Sequence, residues 1–200
     1  MPQRDQEMRG FLSRVGIDSD AIESALAIDA VIQRWRRRYT KRELGAAAIR
    51  ELGLGDLIDL AQLDVLIAIW APANEYGDED GQETMVATIA ARLMIDPSRA
   101  SRLVTELIGK DLVLRQVSQQ DARRSVISLT PRGQAIVEAA RRYKFLVMGD
   151  FLTGWSQEDR DRFLPLLEAF STWTDKTSSK GAERFRAEVD KIRSDMQGSV

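Results

Sequence analysis

Two hundred residues, 44% of them hydrophobic, suffice for a well-covered core and for one or two domains. The lack of any cysteine or histidine excludes disulfides, thiol switches, Cys/His zinc sites and the usual imidazole proton shuttle. The formal charge of −2 is small, no apolar run approaches twenty residues, and no signal pattern opens the chain, so a cytoplasmic protein without a membrane segment is expected.

Residues 1–19 form a polar extension in which Met8, Leu12 and Val15 are loosely spaced as a short helix. Asp20-x-x-Glu23 reads as a capping box opening a long helix, along which Ala25, Ile28, Ile32, Trp35 and Tyr39 keep an apolar stripe. Arg34, Arg36, Arg37, Arg38, Lys41 and Arg42 crowd its end. Cations are favoured there in any case, so a solvated helix end is preferred to a nucleic-acid-binding patch. Gly53 and Gly55 break the chain, and Asp59-x-x-Gln62 caps a second helix carrying Leu63, Leu66, Ile67 and Trp70 until Pro72. The turn-rich loop 73–81 is acidic. Asp78, Glu79 and Asp80 lack the alternation of a calcium loop, so no metal site is expected. A short strand near Gln82 to Met85 is expected to pair with a later hairpin.

Val86, Ile89, Ala90 and Leu93 then mark one face of a short helix, and Asp96-Pro97 restarts the chain as N-cap and first helical residue. The next helix buries Ala100, Leu103, Val104 and Leu107, leaving Ser98, Arg99, Ser101, Arg102 and Thr105 on its outer face. That outer face suits a major groove, where arginine forks onto guanine and hydroxyls reach bases or phosphates. Leu112 to Arg115 and Ser125 to Leu129 read as two strands. The tip between them is polar and basic, Gln119-Gln120-Asp121-Ala122-Arg123-Arg124. A guanidinium on such a wing can enter a narrow minor groove. The charge follows the same division. Positions 84–133 hold eight basic and four acidic side chains, and positions 51–83 hold nine acidic and no basic ones. One basic face on an acidic chain fits a localised DNA contact rather than a general nucleic-acid coat. A helix pair with a hairpin is also an ordinary packing unit, so a protein-interaction module stays open beside DNA reading.

Thr130-Pro131 starts a long helix to about Phe151 with Ala135, Ile136, Ala139, Tyr143, Leu146 and Val147 on its stripe, and Gly154 ends it. Ser156-x-x-Asp159 opens another, with Phe163, Leu166, Leu167, Phe170 and Trp173. Pro165 inside that pattern should kink the helix or delay its start. After a polar break at Thr177 to Lys180, a last amphipathic helix presents Phe185, Val189, Ile192 and Met196. No phosphate-binding glycine loop, HExxH or nucleophile elbow is present, so neither an enzyme nor a bound cofactor is expected.

Five of these pieces stand in an order that resembles the MarR-type bacterial transcriptional regulators. They are Ile89-Ala90-Ala91-Arg92-Leu93, Asp96 to Val104, Leu112 to Arg115, Asp121-Ala122-Arg123-Arg124, and Leu129-Thr130-Pro131-Arg132-Gly133. Two positions depart from the family pattern: Asp111 and Met94 stand where glycine is common. The resemblance implies a mainly α fold with a small β-hairpin wing, a winged helix-turn-helix DNA-binding lobe plus a helical dimerisation region. Its divisions would be an extension (1–19), a dimerisation helix and connector (20–58), the lobe (59–130), C-terminal dimerisation helices (131–175) and an added helix (176–200). The implied function is a homodimeric, nucleoid-associated repressor of a pseudo-palindromic operator on double-stranded DNA, released by a small effector. Ser98, Arg99, Ser101, Arg102 and Thr105 would read the major groove and Arg123 the minor groove. Asp121 would orient a neighbouring arginine, and Arg115, Arg124 and the Thr130 hydroxyl would meet phosphates. An aromatic effector would sit among Trp35, Tyr39, Leu66, Trp70 and Tyr143, whose plain alternative is hydrophobic core. Winged helices also serve as dimerisation modules in small-molecule methyltransferases, but only about seventy helical residues follow the wing here.

Overall fold

The computed structural model describes residues 3–40, 42–70, 83–118, 121–173 and 183–197. The acidic loop with Asp78, Glu79 and Asp80, as well as Gln82, Gln119, Gln120 and the break at Thr177 to Lys180, lie outside them. The chain divides into two compact units: residues 38–150, and residues 1–37 with 151–200.

The 38–150 unit is built on α4 (Leu60–Trp70), a helix apolar nearly all round and therefore central, with Leu63, Val65, Leu66 and Ala68 buried. Its start is the expected reciprocal box: the Gln62 N–H donates to the Asp59 carboxylate at 2.8 Å, and the Asp59 N–H donates to Gln62 Oε1 at 3.3 Å. Before it stands α3 (Glu43–Glu51), a helix within the stretch expected only as a connector. The division falls at Arg42, held in the left-handed region at φ 51° while its guanidinium pairs with Asp64 at 2.7 Å. Around α4 pack α5 (Val86–Leu93), α6 (Pro97–Gly109) and a two-stranded antiparallel hairpin. In the hairpin, β1 (Val113–Val117) pairs with β2 (Ser125–Leu129), Val113 facing Leu129 and Val117 facing Ser125. The strand expected near Gln82 to Met85 is reduced, in residues 83–85, to one backbone bond from the Ile127 N–H to the Thr84 carbonyl at 2.7 Å.

Thr130 caps α7 (Pro131–Thr153), its hydroxyl accepting the Gly133 N–H at 3.0 Å. Gly133 is dictated by contact: a Cβ there would lie 2.0 Å from the Leu112 carbonyl oxygen, so only glycine lets α7 approach the strand entry. The buried face of α7 is Gly133, Ile136, Val137 and Ala140, whereas Ala135, expected on the stripe, faces solvent.

In the other unit, α1 (Gln3–Arg14) is tied to α2 (Ser19–Thr40) by the Arg9–Glu23 ion pair. The cap of α2 is Asp18, not Asp20. Its carboxylate accepts the N–H groups of Asp20 and Ala21 at 3.0 Å, which frees Glu23 from a capping role and leaves it for Arg9. Ile28, Val31 and Trp35 of α2 are exposed in the single chain, and among its described side chains only Ile22 is buried. Helix α8 (Gln157–Ser171) starts at the Ser156 cap, which accepts the Asp159 N–H at 3.1 Å. It runs through Pro165, so the proline does not delay its start and costs one backbone bond instead. Trp155 stands edge-on between Phe151 and Phe163 at centroid distances of 5.8 and 5.0 Å. The last helix, α9 (Arg186–Gln197), leaves Val189, Ile192 and Met196 exposed.

Candidate nucleic-acid interface

The interface is one continuous piece of chain, α5, turn, α6 and hairpin, anchored from beneath. Helix α5 ends where Met94 turns left-handed at φ 51°, and the Ile95 N–H returns to the Ala90 carbonyl at 3.0 Å. Methionine thus takes a conformation that glycine adopts without strain, with its own side chain 92% exposed. Asp111 does the same after α6 at φ 57°, as its tolerance of that region allows. Asp96 caps α6: its carboxylate accepts the Ser98 N–H at 2.7 Å and the Ser98 hydroxyl as well. Those two donors hold the Asp96 carboxyl below its ordinary range.

Ala100, Leu103, Val104 and Leu107 are all buried, so the rotation of α6 is fixed by four contacts on one face. Ser98, Arg99, Ser101, Arg102 and Thr105 are consequently all exposed. Their freedom differs. Ser98 is engaged by the cap, and Thr105 donates its hydroxyl to the Ser101 carbonyl at 2.9 Å. Arg102 pairs loosely with Glu106 at 3.7 Å, and Arg99 has no ion-pair partner among the described residues.

The wing tip is organised by Asp121. Its carboxylate accepts the Arg123 N–H at 3.0 Å and lies 3.8 Å from the Arg124 guanidinium, while its own N–H donates to Ser118 Oγ at 3.0 Å. The turn closes through the Arg124 N–H to the Asp121 carbonyl at 2.8 Å. Arg115, Arg123 and Arg124 are exposed. Ser118 is buried, and the Ser118-x-x-Asp121 spacing is the sequence signal of this turn.

Three basic or hydroxyl groups drop out of the candidate face. Thr130 is 6% exposed and its hydroxyl donates to the Asp111 carbonyl at 2.8 Å, so it caps α7 and cannot meet a phosphate. Arg92 donates to the Ala68 carbonyl at 2.7 Å and to Thr84 Oγ1 at 2.9 Å, bracing α5 against α4. Lys110 donates to the Leu57 carbonyl at 2.6 Å and to Gln62 Oε1 at 2.8 Å. The charge count over 84–133 therefore overstates the readable basic surface, which is carried by Arg99, Arg102, Arg115, Arg123, Arg124 and Arg132.

The suggested effector residues are distributed over both units. Leu66 has no exposed surface and belongs to the core. Trp70 and Tyr143 lie half-buried at its edge, and the Arg141 guanidinium sits 5.4 Å from the Trp70 ring and 5.0 Å from that of Phe145. Trp35 is 59% exposed in the other unit, and the Tyr39 side chain is outside the described ones.

No family model matches the sequence, and no curated protein matches it. Solved structures do. S. aureus MepR bound to ethidium bromide shares 24% identity at a TM-score of 0.51, over 70% of this chain and 94% of that one. The MarR family transcription regulator SP03579 shares 20% at 0.56, over 78% and 97%. RV1404 from Mycobacterium tuberculosis shares 19% at 0.56, over 78% and 94%. The chain is similar to each of these in fold.

Proposed function

From its MarR-type winged-helix fold we propose that this chain is a sequence-specific DNA-binding transcriptional regulator, a binding protein rather than an enzyme. The observation that carries the reading is the partition of α6: four apolar residues face the core, and a full row of Ser, Arg and Thr faces out, beside a wing tipped by Arg123 and Arg124. Arg99 and Arg102 read base edges, Ser98, Ser101 and Thr105 supply hydroxyl contacts, and Arg123 enters the minor groove. Arg115 and Arg124 neutralise phosphates, and Asp121 keeps the wing turn closed.

The active form is a homodimer. Exposed Ile28, Val31 and Trp35 on α2 and Leu164, Leu166 and Trp173 near the end of the chain support it, since apolar side chains in such number gain by association. A dimer with one lobe per copy binds half-sites about one DNA turn apart, which makes the operator pseudo-palindromic. The proposal extends to repression relieved by a small aromatic effector. MepR, solved with the planar aromatic ethidium bound, supports that extension by likeness of fold. Within the 38–150 unit, half-buried Trp70 and Tyr143, at the edge of the core that holds Leu66, would be its contacts.

Selection of a randomised duplex library with the full chain tests the reading. It should return one sequence with two inverted half-sites. A pool that stays random after several rounds would refute specific DNA reading. Quenching of tryptophan emission by aromatic acids, phenols or planar dyes, with release of the selected duplex, tests the effector.

A further inference from the structure

Gln62 is an expensive residue to place on α4. It is 5% exposed on an otherwise apolar helix, where an unpaired amide would cost more than any leucine. Both the oxygen and the nitrogen of its amide are engaged. Oε1 faces two donors, the Asp59 N–H at 3.3 Å and Lys110 Nζ at 2.8 Å, and Nε2 donates to Glu106 Oε2 at 2.9 Å. Donors on one side and a carboxylate on the other leave the amide a single sensible orientation. Lys110 is itself pinned to the Leu57 carbonyl at 2.6 Å. The other Glu106 oxygen, Oε1, lies 3.7 Å from Arg102 Nε. Arg102 and Glu106 lie four residues apart on α6, Lys110 caps its C-terminal end four residues further on, and Gln62 bonds to both Glu106 and Lys110.

We propose that Gln62 is a positioning residue for base recognition, fixing the Glu106 carboxylate so that it holds the Arg102 guanidinium over the reading face of α6. The inference rests on the DNA-reading role proposed for Arg102. An exposed i,i+4 pair alone is weak, because two long side chains must be ordered together. Here one of them is already ordered from the interior, so Arg102 meets a preformed partner. The carboxylate also repels phosphate, which steers Arg102 towards base edges and away from the backbone. A carboxylate beside a reading arginine therefore acts on specificity more than on overall affinity.

The test uses the full chain, the duplex recovered by selection, and a scrambled duplex. Gln62→Met should lower affinity for the selected duplex roughly five-fold, a partial loss of one base contact. Binding to the scrambled duplex and the salt slope should be unchanged. The loss should vanish in an Arg102→Ala background, which a general loosening of the fold would not produce. Glu106→Gln changes a half-exposed side chain, is expected to fold whatever Gln62→Met does, and should reproduce the same loss. An unchanged selected-to-scrambled ratio in both variants, or an equal loss in the Arg102→Ala background, would overturn the role. The Arg102 Nε–H exchange rate, read by nitrogen NMR without DNA, separates the two layers. Faster exchange in Gln62→Met is expected. If wild type fails to discriminate the duplexes, the DNA reading falls and the positioning role with it, and this rate still tells whether the relay exists.

Discussion

At the scale of single residues, the sharpest constraint in the lobe is Gly133, where a side chain has no room. A Cβ 2.0 Å from a backbone oxygen cannot be relieved by a rotamer change, so strand entry or helix must move. Gly133→Ala is expected to destabilise the 38–150 unit by about 3 kcal/mol in urea unfolding. Gly109, at the end of α6 with open space around its Cβ, provides the control: Gly109→Ala should be neutral or stabilising by about 0.5 kcal/mol. Arg123 belongs to the same scale but to function. Its guanidinium is exposed at the wing tip, so Arg123→Ala should leave the melting temperature unchanged and weaken DNA binding by roughly 1–3 kcal/mol. Unchanged affinity for the selected duplex would remove the wing from the interface.

At the scale of elements, α6 depends on its first turn. The Asp96 carboxyl is held below its ordinary range by the Ser98 hydroxyl and N–H, so its folded value lies under its unfolded one. A carboxylate shifted that way contributes stability that is fully present above its unfolded value and lost as pH falls through the folded one. Asp96→Ala should lower the melting temperature at neutral pH. Asp96→Asn, which still caps but does not titrate, should lower it much less, and the gap between wild type and Asp96→Asn should shift towards the variant at acid pH. A gap independent of pH would contradict the assignment. This element was legible in the sequence because its causes are local: Asp96-Pro97 and the 3–4 spacing of Ala100, Leu103, Val104 and Leu107 lie within one stretch. The wing was legible for the same reason, through its alternating strands and basic tip. What escaped was decided by distant partners. Arg92 looks like a surface cation until the Ala68 carbonyl, 24 residues away, takes its guanidinium, and Gln62 meets Glu106 across 44 residues. Helix α3 escaped because the break before it is an arginine in the left-handed region rather than a glycine or proline. The Asp18 cap was missed by two residues because Asp20 and Glu23 happen to carry the same spacing signature.

At the scale of the whole molecule, the exposed apolar residues of α2 and α8 support association, and the proposed partner is a second copy. Sedimentation should give twice the 22.5 kDa chain mass, and Trp35→Glu should shift the population towards the single chain while leaving the 38–150 unit folded. A monomer at micromolar concentration would refute the dimer. Among the described residues no helix is long and apolar enough to cross a membrane. The outer face of α6 and the wing are proposed to read DNA sequence. Fluorescence anisotropy of the selected duplex against a scrambled one, across a salt series, tests it most directly. Affinity for the selected duplex should be at least about a thousand-fold tighter than for the scrambled one, both falling steeply with salt. Equal affinity for the two duplexes at every salt concentration would contradict it.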